Sequence, residues 1–117
     1  GNRISNNINN KEAHLINVVK FDDWILQKNI SKIDLIKIDV EGYELEVLKG
    51  AEQSIKKFKP ILFIELDDNN LKLQNSSAKE LISFLINLDY NIINSLTDKK
   101  VNLSDNFINC HFDIICK

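Results

Sequence analysis

The chain has 117 residues, which is enough for one small domain and too few for two. Apolar residues make up 44% and charged residues 27%, as in an ordinary globular protein. The net charge of -2 comes from fifteen basic and seventeen acidic residues mixed along the chain, so the sequence has no basic stripe that could bind a nucleic acid. No apolar run approaches the length of a membrane span, no signal peptide opens the chain, and two cysteines are too few for a disulfide framework. We therefore expect a cytoplasmic globular protein that binds neither nucleic acid nor a membrane.

The amino-terminal part predicts a flexible lead-in, a strand and a short helix. Residues 1–13 are polar and rich in asparagine, which favours a flexible segment. Residues 14–21, HLINVVKF, are rich in β-branched side chains and predict a strand. Asp22 or Asp23 is expected to cap the helix that follows, with Trp24 and Ile25 on its apolar side.

Two short apolar runs in the middle of the chain predict strands buried on both faces. These are IDLIKIDV, residues 33–40, which a turn at Gly42 follows, and ILFIEL, residues 61–66. Between them, ELEVLKGAEQSIKKFK predicts one amphipathic helix over residues 44–59, which Pro60 ends. Gly50 weakens that helix by about 1 kcal/mol relative to alanine, so we expect close packing there.

The last part predicts a loop, a helix and two strands. DDNNLKLQN, residues 67–75, is expected to be a polar loop, and Ser77 with Glu80 forms the capping box of a third helix. Residues 90–96 and 111–117 predict strands with no helix between them, so they should pair antiparallel. Strands that alternate with helices indicate an α/β fold with a mainly parallel sheet and an antiparallel last strand.

Acidic side chains follow the two central strands. In an open parallel sheet, ligands bind beyond the carboxyl ends of the strands. Asp39 and Glu41 follow the first strand, and Glu65 lies near the end of the second. Because neighbouring strands lie about 4.8 Å apart, Asp39 and Glu65 could face a common site. Lys37 shares a face with Asp39, and these acids are the partners that a buried lysine would need.

The same residues also have a purely structural interpretation. Glu41 and Glu44 precede or begin a helix, where negative charge is favourable, and we expect Glu44 on the helix surface. Asp67 and Asp68 are expected to lie in a solvated loop, and Lys37 to form a structural ion pair. His14 and His111 stand alone in the sequence, so a structural role is the expectation for each.

Two stretches, VVKFDDWI and IDLIKIDVEGYELEVLKGAEQSIKKFKPILFIEL, resemble the carboxy-terminal half of the FkbM-family methyltransferases. That family is typified by a strand running into Asp-Val-Glu-Gly, here residues 39–42. A helix of the Glu-Leu-x-Val-Leu-x-Gly-Ala type and a Pro-hydrophobic-Glu strand follow, here 44–51 and 60–65. The resemblance covers residues 18–66 well, and the later elements follow in the right order.

The resemblance implies part of a three-layer, Rossmann-like class I methyltransferase fold, with residues 14–117 as the carboxy-terminal half of the domain. It also implies S-adenosylmethionine as the cofactor and a hydroxyl acceptor on a small molecule or sugar. Asp39 or Glu65 is then the candidate base, and Glu41 and Lys37 are further catalytic candidates. Oxygen ligation of a divalent cation such as Mg²⁺ by Asp39, Glu41 and Glu65 is an alternative role.

The family's cofactor cradle is a glycine-rich turn after its first strand and an acid that ends its second strand. The 117 residues contain three glycines, at positions 1, 42 and 50, so they form no Gly-x-Gly turn and supply no expected cofactor-binding residue. We therefore expect the isolated chain to be inactive.

Two other classes of function stay open from the sequence. One is a non-catalytic α/β module, in which the acids are caps and ion pairs. The other is a small metal-dependent hydrolase that uses the same carboxylates. In addition, strand 33–40 would have an unpaired edge, which predicts self-association through that edge unless residues 14–21 fold over to fill the gap.

Overall fold

The computed structural model describes residues 21–117, except for the side chain of Trp24. The expected lead-in, the expected strand as far as residue 20, and the expected position of the Trp24 side chain lie outside the described residues. Phe21 was expected to end that strand, and this is wrong, because Phe21 begins a helix.

Within residues 21–117 the chain forms five helices and four strands. In chain order they are α1 (Phe21–Lys28), β1 (Leu35–Ile38), α2 (Glu44–Gly50), α3 (Glu52–Phe58), β2 (Ile61–Asp67), α4 (Asp68–Leu73), α5 (Ala78–Asn87), β3 (Ile92–Asn94) and β4 (His111–Cys116). The fold is therefore mixed α/β, as the sequence predicts.

The four strands form one sheet in the order β1-β2-β4-β3. β1 and β2 are parallel, with Leu35 opposite Ile61. β4 lies between β2 and β3 and runs antiparallel to both. Because β1 and β2 are parallel neighbours, their carboxyl ends lie at the same edge of the sheet, and the candidate acids follow there.

Within the described part of the chain, one face of this sheet packs against the helices. Ile36 and Ile38 of β1 are buried, whereas Leu35 is 50% exposed and Lys37 is exposed. The buried strand residues join helix residues such as Leu48 and Ile55 in a single core. The expectation that β1 is buried on both faces is therefore wrong for these residues, since an apolar run does not reveal which faces will be covered.

The single helix expected over residues 44–59 is two helices, with the break at Ala51. The carboxylate of Asp22 accepts hydrogen bonds from the backbone N–H groups of Gln53 (2.9 Å) and Ser54 (2.7 Å). Asp22 and Asp23 lie inside the first turn of α1, so the expectation that one of them caps that helix is wrong. Asp22 caps α3 instead, and it thereby ties α1 to the start of α3.

The chain leaves α3 before Pro60, as predicted. Lys59 adopts the left-handed conformation with φ 47°, and its N–H donates to the carbonyl of Ile55. The Tyr90 hydroxyl donates to the Pro60 carbonyl at 2.6 Å, and this fixes the start of β2 against the segment before β3.

The segment expected to be a polar loop contains helix α4. Asp67 caps it by accepting a hydrogen bond from the Asn70 N–H at 3.0 Å. Asp68 is buried, where it accepts from the Ala78 N–H at 2.9 Å and pairs with Lys72 at 2.9 Å. Burial by itself would raise the pKa of Asp68, but these two contacts together hold its pKa below the usual value.

Helix α5 begins as predicted, because the Ser77 hydroxyl accepts a hydrogen bond from the Glu80 N–H at 3.1 Å. Leu81 and Leu85 of this helix are fully buried. The two closing strands are antiparallel to each other, and β3 is shorter than expected. No helix within residues 21–117 is long and apolar enough to cross a membrane.

Candidate active site

The turn between β1 and α2 is tight and left-handed. Glu41 has φ 51° and Gly42 has φ 105°. A side chain on Gly42 would overlap the carbonyl oxygen of Asn70, and its Cβ would lie 2.8 Å from the Asn70 carbonyl carbon. Glycine is therefore required here both for its conformation and for the close approach of α4.

Glu44 closes this turn from the inside. Its side chain is 2% exposed, and its two carboxylate oxygens accept hydrogen bonds from the Val40 N–H at 3.0 Å and the Gly42 N–H at 2.9 Å. The expectation that Glu44 lies on the helix surface is wrong, because the turn folds back over the first residue of α2. Burial raises the pKa of Glu44, and the two N–H groups act in the opposite direction.

Three carboxylates converge at the carboxyl ends of β1 and β2. Asp39, Glu44 and Glu65 each bring an oxygen within 4.8 Å of the others. Asp39 is exposed and Glu65 is half-buried. Asp39 and Glu65 therefore lie together, as strand spacing led us to expect, and their catalytic role stays a prediction.

The pKa of Glu65 is raised, as a base requires, and the side chain is only half-buried. Glu44 is the less suitable base, because it is buried and both of its carboxylate oxygens already accept hydrogen bonds from the turn. Burial raises the pKa of Glu65, and the negative charge of Asp39 acts in the same direction. A general base works best when its pKa lies near the working pH, so this environment suits a base better than full exposure to water would. Perturbed carboxylates of this kind are enriched at functional sites.

His111 belongs to the same group, although the sequence indicated a structural histidine. Its Nε2 atom lies 3.5 Å from Glu65 Oε2, and its Nδ1 atom lies 3.8 Å from Asp67 Oδ2. Asp113, also on β4, is directly opposite Glu65. No local pattern marks these residues, because the antiparallel register of β2 and β4 brings them to the site.

Lys37 and Glu41 are placed differently from what the sequence predicted. Lys37 is exposed, and its ammonium lies 5.8 Å from the ring centre of Phe63. Among the described residues, no ion pair is found between Lys37 and the strand-end acids. The reason for expecting one was burial of the lysine, and Lys37 is not buried. Glu41 is exposed and lies outside the converging carboxylates, where Glu44 takes its place.

These contacts do not identify a metal site. Glu41, which was expected as one of three ligands, lies outside the group, and each oxygen of Glu44 already accepts a backbone hydrogen bond. Asp39 and Glu65 remain, and exposed acids commonly meet without binding an ion. We therefore treat the group as an acidic cluster.

Two clefts lie elsewhere in the described part of the chain. One, of about 590 Å³, lies between α1 and α3, and the other, of about 420 Å³, lies between α2 and α5. Neither is lined by Asp39, Glu65 or His111. We place the candidate site at the strand ends, because the carboxylates converge there and their environment alters the proton affinity of Glu65.

Comparison with known protein families gives a match over residues 2–92 to the Methyltransferase FkbM domain. The chain belongs to this family. The match spans β1, β2, Asp39 and Glu65, and it ends before His111. Comparisons with curated proteins and with solved structures gave no significant match.

Membership of the FkbM family favours one of the three classes of function that the sequence left open. The resemblance seen in residues 18–66 is confirmed, and it supports a methyltransferase as the function of the complete protein. The mixed α/β fold of this FkbM domain is consistent with part of a methyltransferase fold. Neither the non-catalytic module nor the metal-dependent hydrolase gains support from the family.

Proposed function

We propose that this FkbM domain contributes the proton-accepting side of an S-adenosylmethionine-dependent O-methyltransferase. The main support is that carboxylate oxygens of Asp39 and Glu65 lie within 4.8 Å of each other, in a chain of the FkbM methyltransferase family. The carboxyl ends of parallel strands are where α/β enzymes bind their ligands.

Glu65 is the proposed base. A hydroxyl acceptor must lose its proton as its oxygen takes the methyl group, and Glu65 would receive that proton. Burial and Asp39 both favour the protonated form of Glu65, so its pKa is shifted towards the working pH of a base. We assign no step of this proton transfer to Lys37 or Glu41, and a catalytic role for either residue stays a prediction from the sequence.

The methyl donor would be bound mainly by parts of the complete protein other than these residues. S-adenosylmethionine supplies the methyl group when it is bound. The one glycine turn in the described residues, at Gly42, packs against the backbone of Asn70, so it offers no space for a cofactor. Residues 21–117 therefore do not fit a cofactor cradle, and we derive no cofactor contact from them.

Methyl transfer by the complete gene product tests this proposal directly. We expect it to convert S-adenosylmethionine to S-adenosylhomocysteine in the presence of a hydroxyl acceptor, and we expect the same acceptor with its hydroxyl replaced by hydrogen to remain unmethylated. Methylation that proceeds equally well at a nitrogen or carbon of the deoxy analogue would contradict the hydroxyl assignment.

The location of the cofactor site needs a separate measurement. Isothermal titration calorimetry of residues 1–117 with S-adenosylmethionine is expected to show no micromolar binding, whereas the complete protein is expected to bind one equivalent. Stoichiometric micromolar binding by the 117-residue chain would contradict this part of the proposal.

A further inference from the structure

The imidazole of His111 lies between two carboxylates of the neighbouring strand. Nε2 faces Glu65 at 3.5 Å and Nδ1 faces Asp67 at 3.8 Å, and at these distances a protonated imidazole forms an ion pair with each carboxylate. The register of the sheet places His111 opposite Asp67 and Asp113 opposite Glu65. Of the described basic side chains, His111 is the one at ion-pair distance from Glu65.

Asp67 is itself fixed in place. Its Oδ1 accepts the hydrogen bond from Asn70 N–H at the start of α4, while its Oδ2 faces His111. Helix α4 in turn packs against the turn at Gly42. The first turn of α4 therefore orients Asp67, which faces one nitrogen of the His111 imidazole. The other nitrogen faces Glu65.

Apart from His111, the ionisable groups that the structure places around Glu65 within residues 21–117 are acidic. Asp39 and Glu44 lie within 4.8 Å of it, and Asp113 is its cross-strand partner. Burial raises the pKa of Glu65, Asp39 and Asp113 act in the same direction, and His111 is the group that lowers it. Without His111, the carboxylate would lose the contact that favours its charged form.

We propose that His111 is a positioning residue that holds the Glu65 carboxylate in place as the proton acceptor, with Asp67 orienting the imidazole. This inference rests on the proposed function, in which Glu65 is the base. Enzymes commonly hold a base in place through a second side chain, which a third side chain orients. Histidine suits the middle position, because its two ring nitrogens can each contact a different carboxylate. The assignment lies outside the part of the chain that matches the family, because His111 follows residue 92.

The first test uses the 117-residue chain and does not depend on activity. The side-chain carboxyl of Glu65 is titrated by ¹³C NMR in the wild type, in His111→Gln and in Lys117→Gln. Lys117 is the matched control, because it is exposed and basic and directly follows β4, about 20 Å from His111 at a rise of about 3.3 Å per residue. We expect the Glu65 titration to move to higher pH in His111→Gln, to stay in place in Lys117→Gln, and to return part of the way in His111→Lys.

The second test follows methyl transfer by the complete protein as a function of pH. If Glu65 is the base, the acidic limb of the kcat/KM profile shifts to higher pH in His111→Gln, by the same amount as the NMR titration of Glu65. The plateau rate at high pH is then largely kept. A Glu65 titration that His111→Gln leaves unmoved would overturn the inference whatever the enzyme does. A titration that moves while the acidic limb stays fixed would overturn Glu65 as the base, and with it the positioning role of His111.

Discussion

Gly42→Ala is expected to destabilise the chain strongly, because two separate effects act at this residue. The backbone has φ 105°, a conformation that costs a residue with a Cβ about 1–3 kcal/mol. The new Cβ would also overlap the Asn70 carbonyl group, which is backbone and cannot rotate away. Overpacking of this kind costs about 1–3 kcal/mol, so the sum is about 2–6 kcal/mol.

A loss of that size is large against the roughly 6–18 kcal/mol that a domain of this length has in total, at about 0.05–0.15 kcal/mol per residue. The strain also falls on α4, where Asp67 caps the helix. We therefore expect relaxation of the clash to move Asp67 and, through it, His111. Gly42→Ala should then alter the chemistry at Glu65 as well as the stability.

Urea unfolding followed by circular dichroism measures the change in the free energy of unfolding. An unchanged slope of this free energy against urea concentration indicates that the variant and the wild type expose the same surface on unfolding. Gly50→Ala is the matched control, because Gly50 ends helix α2 and has no positive φ. We expect that control to lose far less stability than Gly42→Ala, because Gly50 has no positive φ and alanine is the better helix former. A Gly42→Ala variant within about 0.5 kcal/mol of the wild type would refute the role given to this turn.

Three further predictions concern other contacts. Glu44→Gln removes one charge-assisted hydrogen bond to the turn and should lower the free energy of unfolding in urea by about 1.5–3 kcal/mol. Glu46→Gln, on the exposed face of α2, should be neutral, and equal effects of the two changes would contradict the buried role of Glu44. Because the pKa of Asp68 is lowered on folding, the stabilisation from its charged form is present above the ordinary carboxyl pKa and is lost as pH falls through the folded value. Asp68→Asn should therefore lose less stability in acid than the wild type does, and an equal loss would count against the contacts of Asp68 with Ala78 and Lys72. Among the described strands, β1 has a neighbour on one side only, and we propose that two copies associate through its other edge. Sedimentation at micromolar concentration should detect a dimer, and Leu35→Lys, at a half-exposed position of β1, should weaken it. A wild-type monomer at that concentration would contradict the proposed association.

The elements that the sequence predicted correctly are those that local chemistry determines. The short apolar runs became β1 and β2, and the Ser77 cap begins α5, since each depends on neighbouring residues alone. The convergence of Asp39 and Glu65 followed from the spacing of parallel strands.

The elements that the sequence predicted wrongly depend on distant contacts. Asp22 caps α3 across 31 residues, and no local signal at Ala51 marks the break that this cap accompanies. Helix α4 is short and polar, and it is held by its Asp67 cap and by the contact of Asp68 with Ala78. His111 reached the site through strand register, which the sequence of an isolated strand does not determine.

The central claim is that Glu65 is the base of a methyl-transfer reaction, and the turnover of Glu65→Gln in the complete protein tests it most directly. Glu46→Gln is the control, because Glu46 is an exposed glutamate on α2 and Glu44 is buried in the turn. At the pH of maximal wild-type activity, we expect Glu65→Gln to lower kcat by about a hundredfold to ten-thousandfold, the usual contribution of a general base, while S-adenosylmethionine binding is kept. A kcat within about threefold of the wild type, with Glu46→Gln equally active, would contradict the claim.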